Sequence, residues 1–297
     1  MTKEILLLSE KRGKIVQNKS KRSKIWNWIE ITLIVVFCAS AIVLDFVKIT
    51  YVQDELRNAM ISKIVQQGCG SVAGILLLHK LRIRLFGGPK NPLNWLFLIP
   101  CLIVAIDNFQ FSAFFNRESL QGVMYFERNN VLDVFLFACY CLFVGLFEEC
   151  IFRGVLFSVM VSWFPKTKKG FLLTYVLSSI VFGLAHLMNG ISIQVLYTVL
   201  TGGLFAFCLI KTKNIFACAF VHGVYNFCGM LLEKFNPETG IIGLGSGVTF
   251  DIGTMVSMAI VGVSVGLFVV YKTIVYPENE RELLYQKLGV KKKEKTE

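Results

Sequence analysis

The amino-acid sequence predicts an all-α, polytopic transmembrane helical bundle of about eight helices with both termini cytoplasmic. Three observations carry that expectation. The chain has 297 residues, of which 55% are hydrophobic and 17% charged, whereas a soluble domain keeps about 25% charged residues for its wet surface. Apolar runs that reach the roughly 20 residues a helix needs to cross hydrocarbon recur along almost the whole sequence. Finally, Lys and Arg gather at the two ends and in alternate loops, the asymmetry that orients membrane helices.

Taken in order, residues 1–25 form a basic N-terminal segment, rich in Lys and Arg from Lys3 to Lys24. Apolar runs bounded by charge then predict spans at about 27–49, 59–79, 93–115, 131–162, 170–188, 191–210, 214–234 and 249–275. In the first, Ala39-Ser40-Ala41 resembles a signal-peptide cleavage site. The apolar stretch runs on through Val43, Leu44 and Phe46, longer than a signal core, so an uncleaved helix is expected. The second span is the least apolar, with Lys63, Gln66 and Gln67 inside it. The fourth is overlong, so it is expected to be strongly tilted or broken. A cytoplasmic N-terminus assigns the 80–92 loop, Lys166/Lys168/Lys169, Lys211/Lys213 and the C-terminal tail to the basic side, leaving Arg57, Arg117, Arg128 and Lys234 opposite. The chain therefore divides into the basic cytoplasmic segment 1–25, a transmembrane domain 26–275 and a charged cytoplasmic tail 276–297.

The formal net charge of +11 points to anionic lipid at the membrane surface. Nucleic acid is not expected, because no aromatic-interleaved basic fold accompanies the charge. The nine cysteines all lie in or beside apolar runs and read as small hydrophobes, not as bridges. Cys139 and Cys141 are two apart on a predicted helix and make a poor metal pair.

The chemistry sits where hydrocarbon should forbid it. An ionisable side chain at the centre of a membrane helix costs about 2.5–3.5 kcal/mol even on lenient scales. The fourth span nevertheless contains Leu146-Phe147-Glu148-Glu149-Cys150-Ile151-Phe152-Arg153-Gly154. Glu149 and Arg153 are four apart and share a helix face, so they pair. Glu148 is turned by about 100° from Glu149 at 3.6 residues per turn, which leaves it for another role, such as general base or acid. A plain structural ion pair beside a protonated Glu148 is the bland alternative. Only three histidines occur. His79 lies at a basic helix end and reads as interfacial. His186, in Phe182-Gly183-Leu184-Ala185-His186, and His222, in His222-Gly223-Val224-Tyr225-Asn226, lie in apolar runs. His222 and Asn226 are four apart and stack on one face, where both can serve as donors to a developing oxyanion. Interhelical hydrogen bonding is the structural reading of the same pair. Together Glu148, His186, His222 and Asn226 supply a base, a partner to orient it or its water, and two donors. That set suffices for water attack on a peptide carbonyl.

The pattern EExxxR, then FxxxH, then HxxxN, each on a separate late span, resembles the CPBP family of intramembrane proteases, which covers eukaryotic CAAX prenyl endopeptidases and bacterial Abi proteins. The motifs run from Glu148 to Asn226, under a third of the chain. The resemblance implies that Glu148 activates water with help from His186 and that His222 and Asn226 stabilise the oxyanion. It further implies that Glu149 and Arg153 hold the site in shape while Phe182 packs beside His186. The implied partners are the lipid bilayer and a peptide or lipidated protein substrate, and the implied location is the cell membrane. No cofactor is favoured. Zinc held by Glu148, His186 and His222 is the alternative, although Asn226 has no natural place in that set. A bacteriocin-immunity or peptide-maturation role, or a non-catalytic polar-cored membrane protein, are the other readings. Gly68-Cys69-Gly70-Ser71 reads as small residues for close helix packing, not as a serine-protease turn.

Overall fold

The structure is a computed structural model that describes residues 49–115, 130–189, 193–232 and 252–290, with a few isolated residues besides. The predicted segment 1–25, most of the predicted span 27–49 and the last seven residues lie outside the described residues. The regular elements described are helices, apart from a two-residue antiparallel pairing of Phe235–Asn236 with Ile241–Ile242.

Helix α1 runs from Glu55 to Lys80, started by Asp54, whose carboxylate accepts from the Arg57 N–H at 2.9 Å. A 3-10 turn Pro92–Phe97 leads into the ten-residue α2, Leu98–Asp107. Helix α3 is Val131–Trp163, wound as an α-helix to Glu149, as a π-helix over Cys150–Leu156, and as an α-helix again from Phe157. Then come α4 (Lys168–Ala185), α5 (Ile193–Thr212), α6 (Ile215–Met230), α7 (Ile252–Ile274) and α8 (Glu278–Lys287).

Among the described residues five helices are long and apolar enough to cross a membrane: Glu55–Lys80, Val131–Trp163, Lys168–Ala185, Val195–Thr212 and Val256–Ile274. Two predicted spans come out shorter. The run 93–115 is cut because Asn91 caps a 3-10 turn with Pro92 in its first positions, and because α2 stops at Asp107. The run 214–234 yields a helix of only 16 residues. The overlong fourth span is continuous. Its 33 residues extend about 50 Å at 1.5 Å per residue, and what marks its middle is the change to π winding, a feature that recurs at functional sites.

The core forms around α5. Residues 201–213 are all buried, and α4 packs along α5 while α1 and α6 pack along α3. Close approach of α4 and α5 requires Gly202, where a Cβ would stand 3.0 Å from both Ser179 O and Phe182 Cδ1. At the opposite end of α3, fully buried Asp133 is held by Arg57 at 2.6 Å, fixing the start of α1. The segment read as a charged tail opens with α8, which packs Leu284, Tyr285 and Leu288 against the core. A Glu280–Lys213 ion pair fastens it to the α5–α6 turn.

Candidate active site at the π turn of α3

The α-to-π junction of α3 places two carboxylates and a guanidinium at the centre of the bundle. Glu149, fully buried, pairs with Arg153 at 3.2 Å, the i,i+4 pairing the sequence predicts. Arg153 also donates to Gly202 O at 2.9 Å, and its guanidinium lies 4.1 Å from the ring centre of Phe182 and 5.3 Å from that of Phe205. A cation so deep in the bundle is held by an anion, a carbonyl and two aromatic faces, which together replace its lost hydration.

The same Glu149 oxygen contacts His222 Nδ1 at 2.9 Å. Spacing alone gave no sign of this bond, since it joins residues 73 apart on two helices. An ionised carboxylate only accepts, so Nδ1 carries the hydrogen and Nε2 is the nitrogen left to face other groups. It faces Glu148: Nε2 stands 3.8 Å from Oε2, and that oxygen is buried without a hydrogen-bond partner among the described residues. A gap of 3.8 Å is too long for a direct hydrogen bond and short enough for one shared water. The carboxylate that the sequence left unpaired is therefore aimed at the imidazole that the sequence placed on another span.

His186 sits at the C-terminal end of α4, opening a 3-10 turn, and not within the helix. Its Nδ1 donates to Phe182 O at 2.9 Å, because a carbonyl can only accept. That fixes Nε2 as the free acceptor of the neutral ring. Phe182 joins the two imidazoles, its ring centre 4.9 Å from that of His186 and 5.9 Å from that of His222. Phe205 stacks on His222 at 4.4 Å and 18°; its role went unread in the sequence, where it is one Phe among 26. Asn226 lies half-buried one turn beyond His222 on α6. Glu148, Glu149, Arg153 and His222 thus form one contiguous cluster, with His186 reached through Phe182.

The alternative zinc set of Glu148, His186 and His222 is not assembled. Among the described residues no three His, Cys, Asp or Glu side chains converge as a metal site. Two of the three are near each other, but a closed or catalytic zinc shell takes at least three protein ligands.

Contact of α3 with α6 depends on Gly145, where a Cβ would lie 3.0 Å from Ala219 O and Gly223 N and 3.3 Å from His222 Cβ. Gly145→Val is expected to lower stability by about 1–3 kcal/mol through overpacking and to push His222 away from Glu149. Thermal unfolding in detergent measures the first effect. A variant as stable as wild type would show that the two helices do not meet there.

A helical bundle with membrane-length apolar helices and a buried carboxylate–imidazole–guanidinium cluster is the architecture of a multi-pass membrane protein with a polar centre. Residues 130–228 match the family model described as Type II CAAX prenyl endopeptidase Rce1-like. This stretch holds all three motifs, and the match bears out the resemblance on which they were first grouped. No curated protein and no solved structure gives a significant match.

Proposed function

We propose that the chain is an intramembrane endopeptidase that hydrolyses a peptide bond of a membrane-associated or lipidated substrate with water activated by Glu148. The observation that carries this reading is the 3.8 Å approach of Glu148 Oε2 to His222 Nε2 while Glu149, the neighbouring carboxylate, is engaged by Arg153. One carboxylate is structural and the other faces the imidazole.

In this mechanism a water between Glu148 and the histidines gives its proton to Glu148 as its oxygen attacks the scissile carbonyl carbon. The resulting oxyanion is met by the Asn226 side-chain N–H and by His222 in its doubly protonated form, in which Nδ1–H is held by Glu149 and Nε2–H is the donor left open. Glu148 then returns the proton to the departing amine. His186, its Nδ1–H tied to Phe182 O, keeps its Nε2 toward the water as an acceptor. Glu149 and Arg153 act as positioning residues, since they reach the reaction only through His222 and the packing around Phe182. The membrane orientation proposed with this reading places both termini and the basic loops on the cytoplasmic side.

The test compares the peptides of membranes from cells expressing wild type and Glu148→Gln. Peptide bonds cut only in the wild-type membranes are the expected result; identical peptide sets would remove the enzymatic reading. Because Asn226 has no natural place in a zinc ligand set, cleavage by the purified protein is expected to survive exhaustive chelation. Activity lost to chelator and restored by zinc would replace the glutamate mechanism by a metal-based one.

A further inference from the structure

Away from the hydrolytic cluster, the end of the bundle where α1 closes carries a group of cations that the reaction does not use. A cavity of about 760 Å³ opens there, lined among the described residues by His79, Lys80, Arg82, Ile83, Arg84, Phe86 and Gly87. Lys80, Arg82 and Arg84 bring positive charge to it, and the described lining holds no carboxylate. A second cavity of about 360 Å³ shares Arg82 and Arg84 and lies toward α8; Glu278 and Glu282 line it too, outnumbered there by the two guanidiniums with Arg281 and Lys166.

The backbone holds these cations in place. Arg82 has φ +60°, a left-handed conformation that turns the chain sharply at the end of α1 and that non-glycine residues seldom adopt. Beyond it burial alternates from one residue to the next. Ile83 and Leu85 are buried, while Arg82 and Arg84 are exposed on the other side. The strap is pinned by Ile83 N–H to Leu78 O at 2.9 Å, Arg84 N–H to Lys287 O at 2.6 Å and Leu85 O to Ile215 N–H at 2.7 Å. Asn214 Nδ2 adds a bond to Gly87 O at 3.1 Å, and Lys287 Nζ one to Gly88 O at 2.8 Å. The carbonyls of Leu77, Leu78 and His79 at the end of α1 already accept from Leu81, Ile83 and Arg82, so they are engaged within the backbone and do not compete for the guanidiniums.

We propose that this strap is a binding site for a phosphate-type oxyanion, supplied by a lipid headgroup or by soluble phosphate. Two guanidiniums on one face of a pinned segment present forked donors that match phosphate oxygens bidentately. The strap also lies at the end of the bundle shared by the α5–α6 turn and the end of α7, where helices long enough to cross the membrane terminate. The proposal does not depend on the hydrolytic reading.

The experiment uses the full-length protein in nanodiscs of phosphatidylcholine with or without phosphatidylglycerol, counting lipids retained on release by native mass spectrometry. Arg82→Gln with Arg84→Gln is expected to reduce retained phosphatidylglycerol about tenfold, as for loss of charge-assisted hydrogen bonds. Lys168→Gln with Lys169→Gln, which removes the same charge from exposed positions outside both cavities, is expected to leave retention unchanged. An equal fall in both variants would mean a diffuse surface-charge effect and overturn the site. The second arm adds inorganic phosphate to the protein in lipid-free detergent. A rise in melting temperature in wild type but not in the double variant assigns a soluble oxyanion, and retention of lipid without that rise assigns a headgroup. Absence of both responses in wild type sinks the proposal. Should the Gln pair not fold, Arg82→Lys with Arg84→Lys keeps the charge and loses the fork, and an intermediate fall is expected; full retention by this folded variant would reject the forked site.

Discussion

Arg153→Met is expected to destabilise the protein by about 3–5 kcal/mol, the cost of leaving a buried ion without its partner. The substitution keeps most of the side-chain volume, so the effect comes from charge and not from a cavity. Glu149 would remain fully buried with only His222 Nδ1 against it, Gly202 O would lose its donor, and Phe182 would lose the cation on its face. The measurement is equilibrium unfolding in mixed detergent micelles. A second variant separates stability from chemistry. Glu149→Leu with Arg153→Met removes both charges, and such neutral replacements of buried pairs are often as stable as the pair itself. Stability is therefore expected to return, whereas cleavage is expected to be lost, because His222 Nδ1 would lack the acceptor that turns Nε2 toward Glu148. Recovery of cleavage in the double variant would show that Glu149 is not needed to orient the imidazole.

That pair was also the most legible part of the site. Glu149 and Arg153 are neighbours on any helix, and π winding just after Glu149 did not separate them. The pairing of Glu149 with His222 was not legible, because no local rule says which face of α6 meets which face of α3. Gly145 is the physical cause, a small residue that lets the two backbones touch, and glycine in an apolar run has many other uses. The π segment was hidden for a similar reason. Cys150-Ile151-Phe152-Arg153-Gly154-Val155-Leu156 contains no proline, and one additional residue per turn leaves no trace in composition.

The membrane-length helices were readable because desolvation of charge is large enough to dominate every other signal. Element ends were not, since they depend on caps and single breakers. Asn91 and Pro92 cut the third apolar run, and α4 ends at Ala185, leaving His186 at a helix end, where its Nδ1 bonds back to Phe182 O. The α8 helix lay in a stretch read as charged because its charges dominate the count. Its apolar hold on the core comes from Leu284, Tyr285 and Leu288, and three apolar residues among charges give little warning of a packed helix.

Glu148→Gln is expected to slow peptide hydrolysis about 10²–10⁴-fold, the range of a positioned general base. The amide is the same size and still reaches toward His222, but it cannot take a proton from water. Stability should change little, since Glu148 is half-buried and its Oε2 has no hydrogen-bond partner among the described residues. Asn226→Ala is expected to cost about 10²–10³-fold, as for removal of one oxyanion donor, with substrate affinity nearly unchanged. The two losses should not multiply in the double variant, because without an activated water little oxyanion forms for Asn226 to stabilise. Single-turnover cleavage of a fluorogenic membrane peptide, in vesicles containing each variant at equal folded amounts, measures all three rates. Wild-type turnover in Glu148→Gln would leave the buried cluster with a purely structural role, since every step assigned to the other residues begins with that proton transfer.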